Sequence, residues 1–217
     1  SIDGRDSGSV ELRRADGKWS LPSAEGYPAN DTKVTEALAK LAALDTKRPI
    51  TRTASSQKRL QVSADEYVRR IEIKTSSGST RALFLGSSPS YGATHVRLDG
   101  REETYLAGDI SAWEFGTTAT SWVDTAFVSV PEEQISSVTV SNSSGQVVVG
   151  HDAAGSWTLS DLSAAETLNE AAVRTTVTRA SSVTLQLPLG KTVKPEYGLD
   201  KPLAVVQVER ALARLDA

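Results

Sequence analysis

The chain has 217 residues, of which 39% are hydrophobic and 24% charged, a composition typical of a folded globular protein. Its formal net charge of −3 provides no basic surface for nucleic acid or for an anionic membrane. Cysteine and methionine are both absent, which excludes disulfides and thiolate sites, and the missing first methionine leads us to expect a processed or excised fragment.

The first 50 residues predict a hairpin followed by a helix. Strand-like runs at 9–14 and 18–21 flank Asp16-Gly17, a dipeptide typical of tight hairpin turns. Asn30 and the two residues after it are suited to cap a helix, which Pro49 ends at the latest. The apolar residues of this helix recur at helical spacing and predict one buried face: Val34, Leu38, Leu41 and Leu44.

The middle of the chain changes to a period of two, which predicts an antiparallel meander. Its expected strands are 68–75, 80–86, 94–98 and 104–107. A short amphipathic segment, 109–115, follows and has Asp109 as its expected cap. Pro131 then opens a turn, and we place a domain boundary between residues 130 and 131.

After this boundary the opening order of elements returns. Strands are predicted at 135–141, 146–151 and 156–159. Ser163 and Glu166 have the spacing of a capping box, which predicts a helix from there to about Val177. Two further strands are expected, one at 182–187 and one that ends near Glu209.

Two short stretches with the same residues suggest that one structural module occurs twice in the chain. Their shared residues, 138 positions apart, are Gly17, Trp19 and Leu21 in the first and Gly155, Trp157 and Leu159 in the second. We therefore predict an α+β fold of antiparallel sheets with few helices, built from two tandem copies of a strand-hairpin, helix and strand module. The first copy and its added meander would occupy residues 9–130. The second would occupy 131–217 and be truncated, so we expect the parent protein to continue past Ala217.

Residues that could carry catalysis are few. His95 and His151 each stand alone in a strand-like run, without a carboxylate at metal-ligand spacing. Neither a nucleophile-elbow motif nor a phosphate-binding glycine loop is present. We therefore predict a protein that is not an enzyme and that has no cofactor and no metal. An unrecognised hydrolase would need a cleft with convergent carboxylates or a Ser/His pair.

The tryptophans offer an alternative function. An exposed indole at Trp113 or Trp122 could stack on a sugar, which would make the chain a carbohydrate- or peptidoglycan-binding module. The other interpretation is that each tryptophan anchors its strand or helix to the core. For Trp19 and Trp157 we favour the anchor, because a core residue would recur together with its hairpin and helix.

Several short motifs resemble an uncharacterised bacterial family of domains of unknown function, whose members accompany gliding-motility-type ABC transporters as auxiliary proteins. The matching stretches are GKWSL (17–21), YPA (27–29), ALFLG (82–86), THVRL (94–98), TYLA (104–107), SWVDTAFVSV (121–130) and YGLDKP (197–202). The first copy has LQVSADEYV where the second has YGLDKPLAV, so the role of this element in both copies is in doubt.

The resemblance implies a repeated extracytoplasmic or periplasmic region of a membrane-anchored protein. Its N-terminal transmembrane helix would be absent from this chain, and the fragment itself would make no direct membrane contact. The family has no established catalytic residues that could be transferred to this chain. The expected function is therefore that of a non-enzymatic interaction or scaffold domain in the cell envelope, with protein partners that include ABC transporter subunits.

Overall fold

The computed structural model describes residues 1–210 and separates the chain into two units. Unit 1 comprises residues 1–124 together with 187–192, and unit 2 comprises 125–186 and, among the described residues, 193–210. Few helices and several antiparallel sheets make up the chain, which confirms the predicted α+β class. The last part of the predicted second domain, 211–217, lies outside the described residues.

Unit 1 contains two antiparallel sheets. Their strands are β1 (Ile2–Gly4), β2 (Gly8–Val10), β3 (Arg13–Ala15), β4 (Lys18–Leu21), β5 (Tyr27–Pro28), β6 (Arg69–Lys74), β7 (Thr80–Leu85), β8 (Ala93–Leu98) and β9 (Thr104–Gly108). The larger sheet has the order β2-β1-β6-β7-β8-β9, and the smaller one has the order β3-β4-β5. The predicted meander is confirmed as β6 to β9.

The prediction of a single strand at 9–14 is wrong, because residues 8–15 form two strands, β2 and β3. Val10 pairs with Ile2 in the larger sheet, whereas Arg13 pairs with Ser20 in the smaller one. The chain therefore leaves one sheet and enters the other between β2 and β3. A strand at Ile2–Gly4 was not predicted from the sequence, since three residues are too few to show a period.

The helices of unit 1 are α1 (Asp31–Ala42) and α2 (Ala54–Arg59). Asn30 caps α1, since its side-chain oxygen accepts a hydrogen bond from the Lys33 backbone N–H at 3.1 Å. Val34, in the first turn of α1, is buried. The segment predicted to start at Asp109 is a single 3₁₀ turn, Ala112–Glu114, which Ser111 caps instead. Among residues 1–210, no helix has the length and apolar character required to cross a bilayer.

Unit 2 pairs one helix with a sheet. Its elements are β10 (Ala126–Ser129), β11 (Ile135–Asn142), β12 (Gly145–His151), β13 (Trp157–Leu159), α3 (Glu170–Ser181), β14 (Ser182–Thr184) and β15 (Ala204–Arg210). The sheet has the order β13-β12-β11-β15, and β10 pairs separately with β14. All of these pairings are antiparallel.

The core of unit 2 lies between α3 and the aliphatic face of this sheet. Val138 on the central strand β11 is opposite Val149 on β12 and Val208 on β15. Directly opposite residues of an antiparallel pair point to the same face, so the three side chains form one aliphatic row. Val173 and Val177 of α3 belong to the same buried cluster.

The helix predicted to follow a cap at Ser163 begins six residues later than expected, at Glu170 after the cap Asn169. The Ser163 backbone N–H does donate to the Glu166 carboxylate at 2.8 Å, but these residues form an isolated turn. Asn169 caps α3 by accepting from the Ala172 N–H at 3.0 Å. Leu168, directly before the cap, packs on the cluster that contains Val173, which is the arrangement of a hydrophobic staple. Cap and staple together determine where α3 starts.

The two units share an arrangement of strands. In unit 1, β1 pairs with β2 on one side and with β6 on the other, and in unit 2, β11 pairs likewise with β12 and with β15. Gly17 and Gly155, which precede the two repeated tryptophans, both have left-handed backbone angles, with φ of 80° and 82°. Both long helices begin after an asparagine cap. The duplication itself stays a prediction.

Replacing Asn169 by alanine is expected to destabilise the chain by about 1 kcal/mol, because the first turn of α3 loses its cap. Ser163→Ala should change the free energy of unfolding by no more than about 0.5 kcal/mol, since Ser163 caps no helix. Urea unfolding followed by far-UV circular dichroism measures both values. Equal destabilisation by the two variants would contradict this assignment of the helix start.

Candidate functional site

Unit 2 has an apolar groove between its sheet and the first turns of α3. The groove has a volume of about 310 Å³. Val140, Val147 and Leu159 line it from the sheet, and Leu168 and Ala172 line it from the other side. A groove with few polar groups suits an aliphatic side chain of a partner better than a small polar substrate.

The groove exists because the aliphatic face of the sheet is larger than the area that α3 covers. Val140 lies two residues beyond Val138 and is opposite Val147 and Val206. These residues share the face of the core, yet Val147 is 49% exposed and Val206 is 52% exposed. The aliphatic row therefore continues past the helix into solvent, which is typical of an interaction surface.

β15 is the edge of this sheet. Among the described residues it pairs with β11 alone, so every second residue directs its backbone N–H and C=O groups away from the sheet. The side chain of Val205, on the other face of the strand, is also exposed. An edge of this kind can accept a further strand.

A second hollow, of about 290 Å³, adjoins the groove and contains two acidic residues, Asp161 and Glu166. Hydrogen bonds from the backbone and side chain of Ser163 lower the pKa of Glu166, so this carboxyl is ionised at neutral pH. A general acid needs a raised pKa instead. Glu166 therefore holds a turn together through Ser163. Its lowered pKa does not suit the proton donor that a glycoside hydrolase requires.

Ser87 and His95 in unit 1 lie close enough to be considered as a nucleophile and general base. The Ser87 Oγ lies 3.1 Å from the His95 Nδ1, but the Ser87 carbonyl oxygen is nearer, at 2.7 Å. A carbonyl only accepts, so Nδ1 carries the proton, and the Ser87 hydroxyl donates to the Leu60 carbonyl at 3.2 Å. The histidine cannot accept the serine proton in this arrangement, because its facing nitrogen is already protonated.

His151 and the two repeated tryptophans have packing contacts. The His151 ring lies 3.8 Å from that of Trp157, which packs against the core of unit 2, as does Leu159. Trp19 is half-buried and lies beside the Arg14 guanidinium, and Leu21 is fully buried. Among the described residues, no group of three or more histidine and acidic side chains could hold a metal ion.

The two candidate sugar-stacking tryptophans differ in exposure. Trp122 is only 3% exposed, and its indole N–H donates to the Gly116 carbonyl at 2.7 Å, so its ring is closed to a ligand. Trp113 is 79% exposed. The buried guanidinium of Arg69 lies 5.7 Å from the Trp113 ring centre and donates to the Phe115 carbonyl at 2.8 Å. Of the two, Trp113 is therefore the ring that a ligand can reach.

Comparison with known families identifies the chain. Residues 19–202 match the family described as Domain of unknown function (DUF4340). The chain belongs to the DUF4340 family. No curated protein and no solved structure matches it. Membership establishes that the chain contains a domain of unknown function.

Sequence reasoning missed the surface residues of unit 2 in this DUF4340 chain. The stretches QVVVGH and AVVQVE contain consecutive valines, so alternation alone does not reveal which face is covered. The sequence therefore places Val147 and Val206 in strands but does not show that their side chains are exposed. Their significance depends on where α3 starts, and the sequence prediction of that start was wrong.

The pKa of Asp65 in this DUF4340 chain lies well below its ordinary value. A hydrogen bond and ion pair from Lys58, with N–O distance 2.6 Å, and a hydrogen bond from the Ser63 hydroxyl lower the pKa of Asp65 to about 2. The lowered pKa has a structural cause in a solvent-exposed turn, so it does not mark a catalytic acid.

Lys58→Gln is expected to raise the pKa of Asp65 towards its ordinary value of 3.8, because the ion pair is lost. In the unchanged chain, ionised Asp65 stabilises the fold above about pH 4, and this contribution is lost as the pH falls through about 2. An NMR titration of the carboxyl carbon measures the pKa. Lys47→Gln, which removes the partner of Asp45 instead, is the control. An Asp65 pKa unchanged in Lys58→Gln would contradict the assignment.

Proposed function

We propose that this chain is a non-enzymatic interaction domain that binds a protein partner through the aliphatic face of unit 2. One observation carries the proposal. The sheet face that is buried at Val138 continues to Val147 and Val206, whose side chains are half exposed. Burying the exposed half of each valine against a partner contributes roughly 0.7–1.5 kcal/mol before the costs of association. Such binding needs no reactive side chain.

The chemistry of the polar residues supports a non-catalytic role. The Ser87–His95 pair has its proton on the wrong nitrogen for a general base, and Glu166 is held in its ionised form. The Ser87 hydroxyl donates to the Leu60 carbonyl, and the Glu166 carboxylate accepts from the Ser163 N–H, so both groups have hydrogen-bond partners within the chain. The aliphatic face of unit 2, in contrast, has an exposed part that no local contact explains.

We further propose that the partner is a subunit of an ABC transporter, and that the domain is the extracytoplasmic part of a membrane-anchored envelope protein. Support comes from the motifs GKWSL and YGLDKP, which resemble those of transporter-associated proteins. Within this proposal the domain acts as a scaffold that holds a transporter subunit.

A photoreactive amino acid at position 147 tests the proposal in cells that express the full-length protein with its transporter. We expect ultraviolet light to produce an adduct with the permease or another transporter subunit, identified by mass spectrometry. Position 148 is the matched control, because it is also a valine of β12 but points to the opposite face of the sheet. Equal adducts at both positions, or none with a transporter subunit, would overturn the proposal.

A second candidate function is supported by the exposure of Trp113. An indole that is 79% exposed and lies against a buried guanidinium presents a flat, fixed surface to a sugar ring. The proposed ligand is a peptidoglycan fragment or another envelope glycan. The Trp113 ring belongs to unit 1, whereas the aliphatic face belongs to unit 2.

Titration with soluble peptidoglycan fragments tests this second candidate. We expect a saturable change in tryptophan fluorescence that Trp113→Ala abolishes, because the stacking ring is removed. Tyr91→Ala removes another exposed aromatic ring and should leave the change intact. An unchanged titration in Trp113→Ala would exclude Trp113 as the sugar-binding ring.

A further inference from the structure

Among residues 1–210 the outer edge of β15 is unpaired, whereas the corresponding edge in unit 1 is covered by a strand. There, Ile2 on β1 lies between Val10 on β2 and Ile71 on β6, and the outer edge of β6 pairs with β7. In unit 2, Val140 on β11 lies between Val147 on β12 and Val206 on β15. On one side, β15 pairs with β11 as β6 pairs with β1. On the other side, no strand among the described residues pairs with β15 as β7 pairs with β6.

The side chains of β15 indicate what such a strand would carry. Val205 and Val206 point to opposite faces of the sheet, and both are more than half exposed. At the corresponding places in β6, Arg70 and Ile71 are opposite Phe84 and Leu83 of β7. A covering strand with two consecutive apolar residues, such as Leu-Phe, would place one against each of the exposed valines.

Charge adds a further requirement. The exposed carboxylate of Glu209 accepts a hydrogen bond from the Ser137 hydroxyl at 2.9 Å, which holds it on the polar face of the sheet. The corresponding residue in β6 is Lys74, which is opposite Thr80. A cation opposite Glu209 would form a favourable cross-strand pair, so the charge at this edge favours a basic residue in the covering strand.

We propose that the outer edge of β15 binds an antiparallel strand of the protein partner. This strand has two consecutive apolar residues opposite Val206 and Val205 and a basic residue opposite Glu209. The inference rests on the proposed function and names its binding mode, in which backbone hydrogen bonds give affinity and the alternating side chains give specificity. The added strand extends the aliphatic face of the sheet past Val206 into the partner.

The test uses a fluorescently labelled peptide of sequence Lys-Arg-Ala-Leu-Phe-Leu, which is β7 of this chain with its first threonine replaced by lysine. We expect saturable binding to the intact chain, measured by fluorescence anisotropy. Val206→Lys should weaken binding about tenfold or more, because it removes one valine contact and places a charge at the edge. Val183→Lys changes an exposed valine of β14, which lies outside the sheet of β15, and should leave the affinity within about threefold.

A charge exchange keeps the test informative if Val206→Lys fails to fold. Glu209→Lys is expected to weaken binding of the lysine peptide about threefold, and a peptide with glutamate at the first position should recover the loss. Glu209 is exposed and lies outside the aliphatic row, so this variant leaves the core unchanged.

Three results would overturn the inference. One is the absence of peptide binding, and another is binding that Val147→Lys abolishes and Val206→Lys leaves intact, which would place the peptide in the groove. The third is a dimer in analytical ultracentrifugation that Val206→Lys dissociates, since a second copy would then occupy the edge. None of these results removes the photo-adduct at position 147, so the proposed function is tested separately.

Discussion

The packing of unit 2 depends on the aliphatic face of β11. Val138 is fully buried, and its neighbours across the two strand pairs, Val149 and Val208, extend the same row. Because side chains alternate along a strand, a shift of one residue in either pairing would turn this row towards solvent. The register of β12 and β15 is therefore determined by the need to bury these valines under α3.

The same constraint explains the exposed surface. α3 begins after Asn169, where a side-chain cap and the packing of Leu168 hold its first turn. The groove lies beside that first turn, and the aliphatic row continues beyond it to Val147 and Val206. A helix position that stabilises the core thus leaves part of the sheet uncovered. The proposed binding surface is a direct consequence of where the helix starts.

Sequence patterns predicted the elements whose signals are local. The meander from β6 to β9 and the helix after Asn30 were predicted because alternation, turn residues and a capping side chain occur within short windows. The start of α3 was predicted wrongly, because Ser163 and Glu166 satisfy each other in a turn without a helix. The exposure of Trp113 and the burial of Trp122 could not be predicted, since the residues around each are distant in sequence. Arg69 lies against the Trp113 ring, and the Asn30 N–H donates to the Trp122 carbonyl.

The central claim is that β15 pairs with β11 on one side and, within residues 1–210, has no paired strand on the other. Amide hydrogen exchange of the isolated chain, resolved by residue with NMR, tests it most directly. The account predicts that protection alternates along residues 204–210, with slow exchange only at amides that bond to β11. Uniform protection would mean that the edge is already covered, and uniformly fast exchange would mean that β15 does not pair. Either result would contradict the claim.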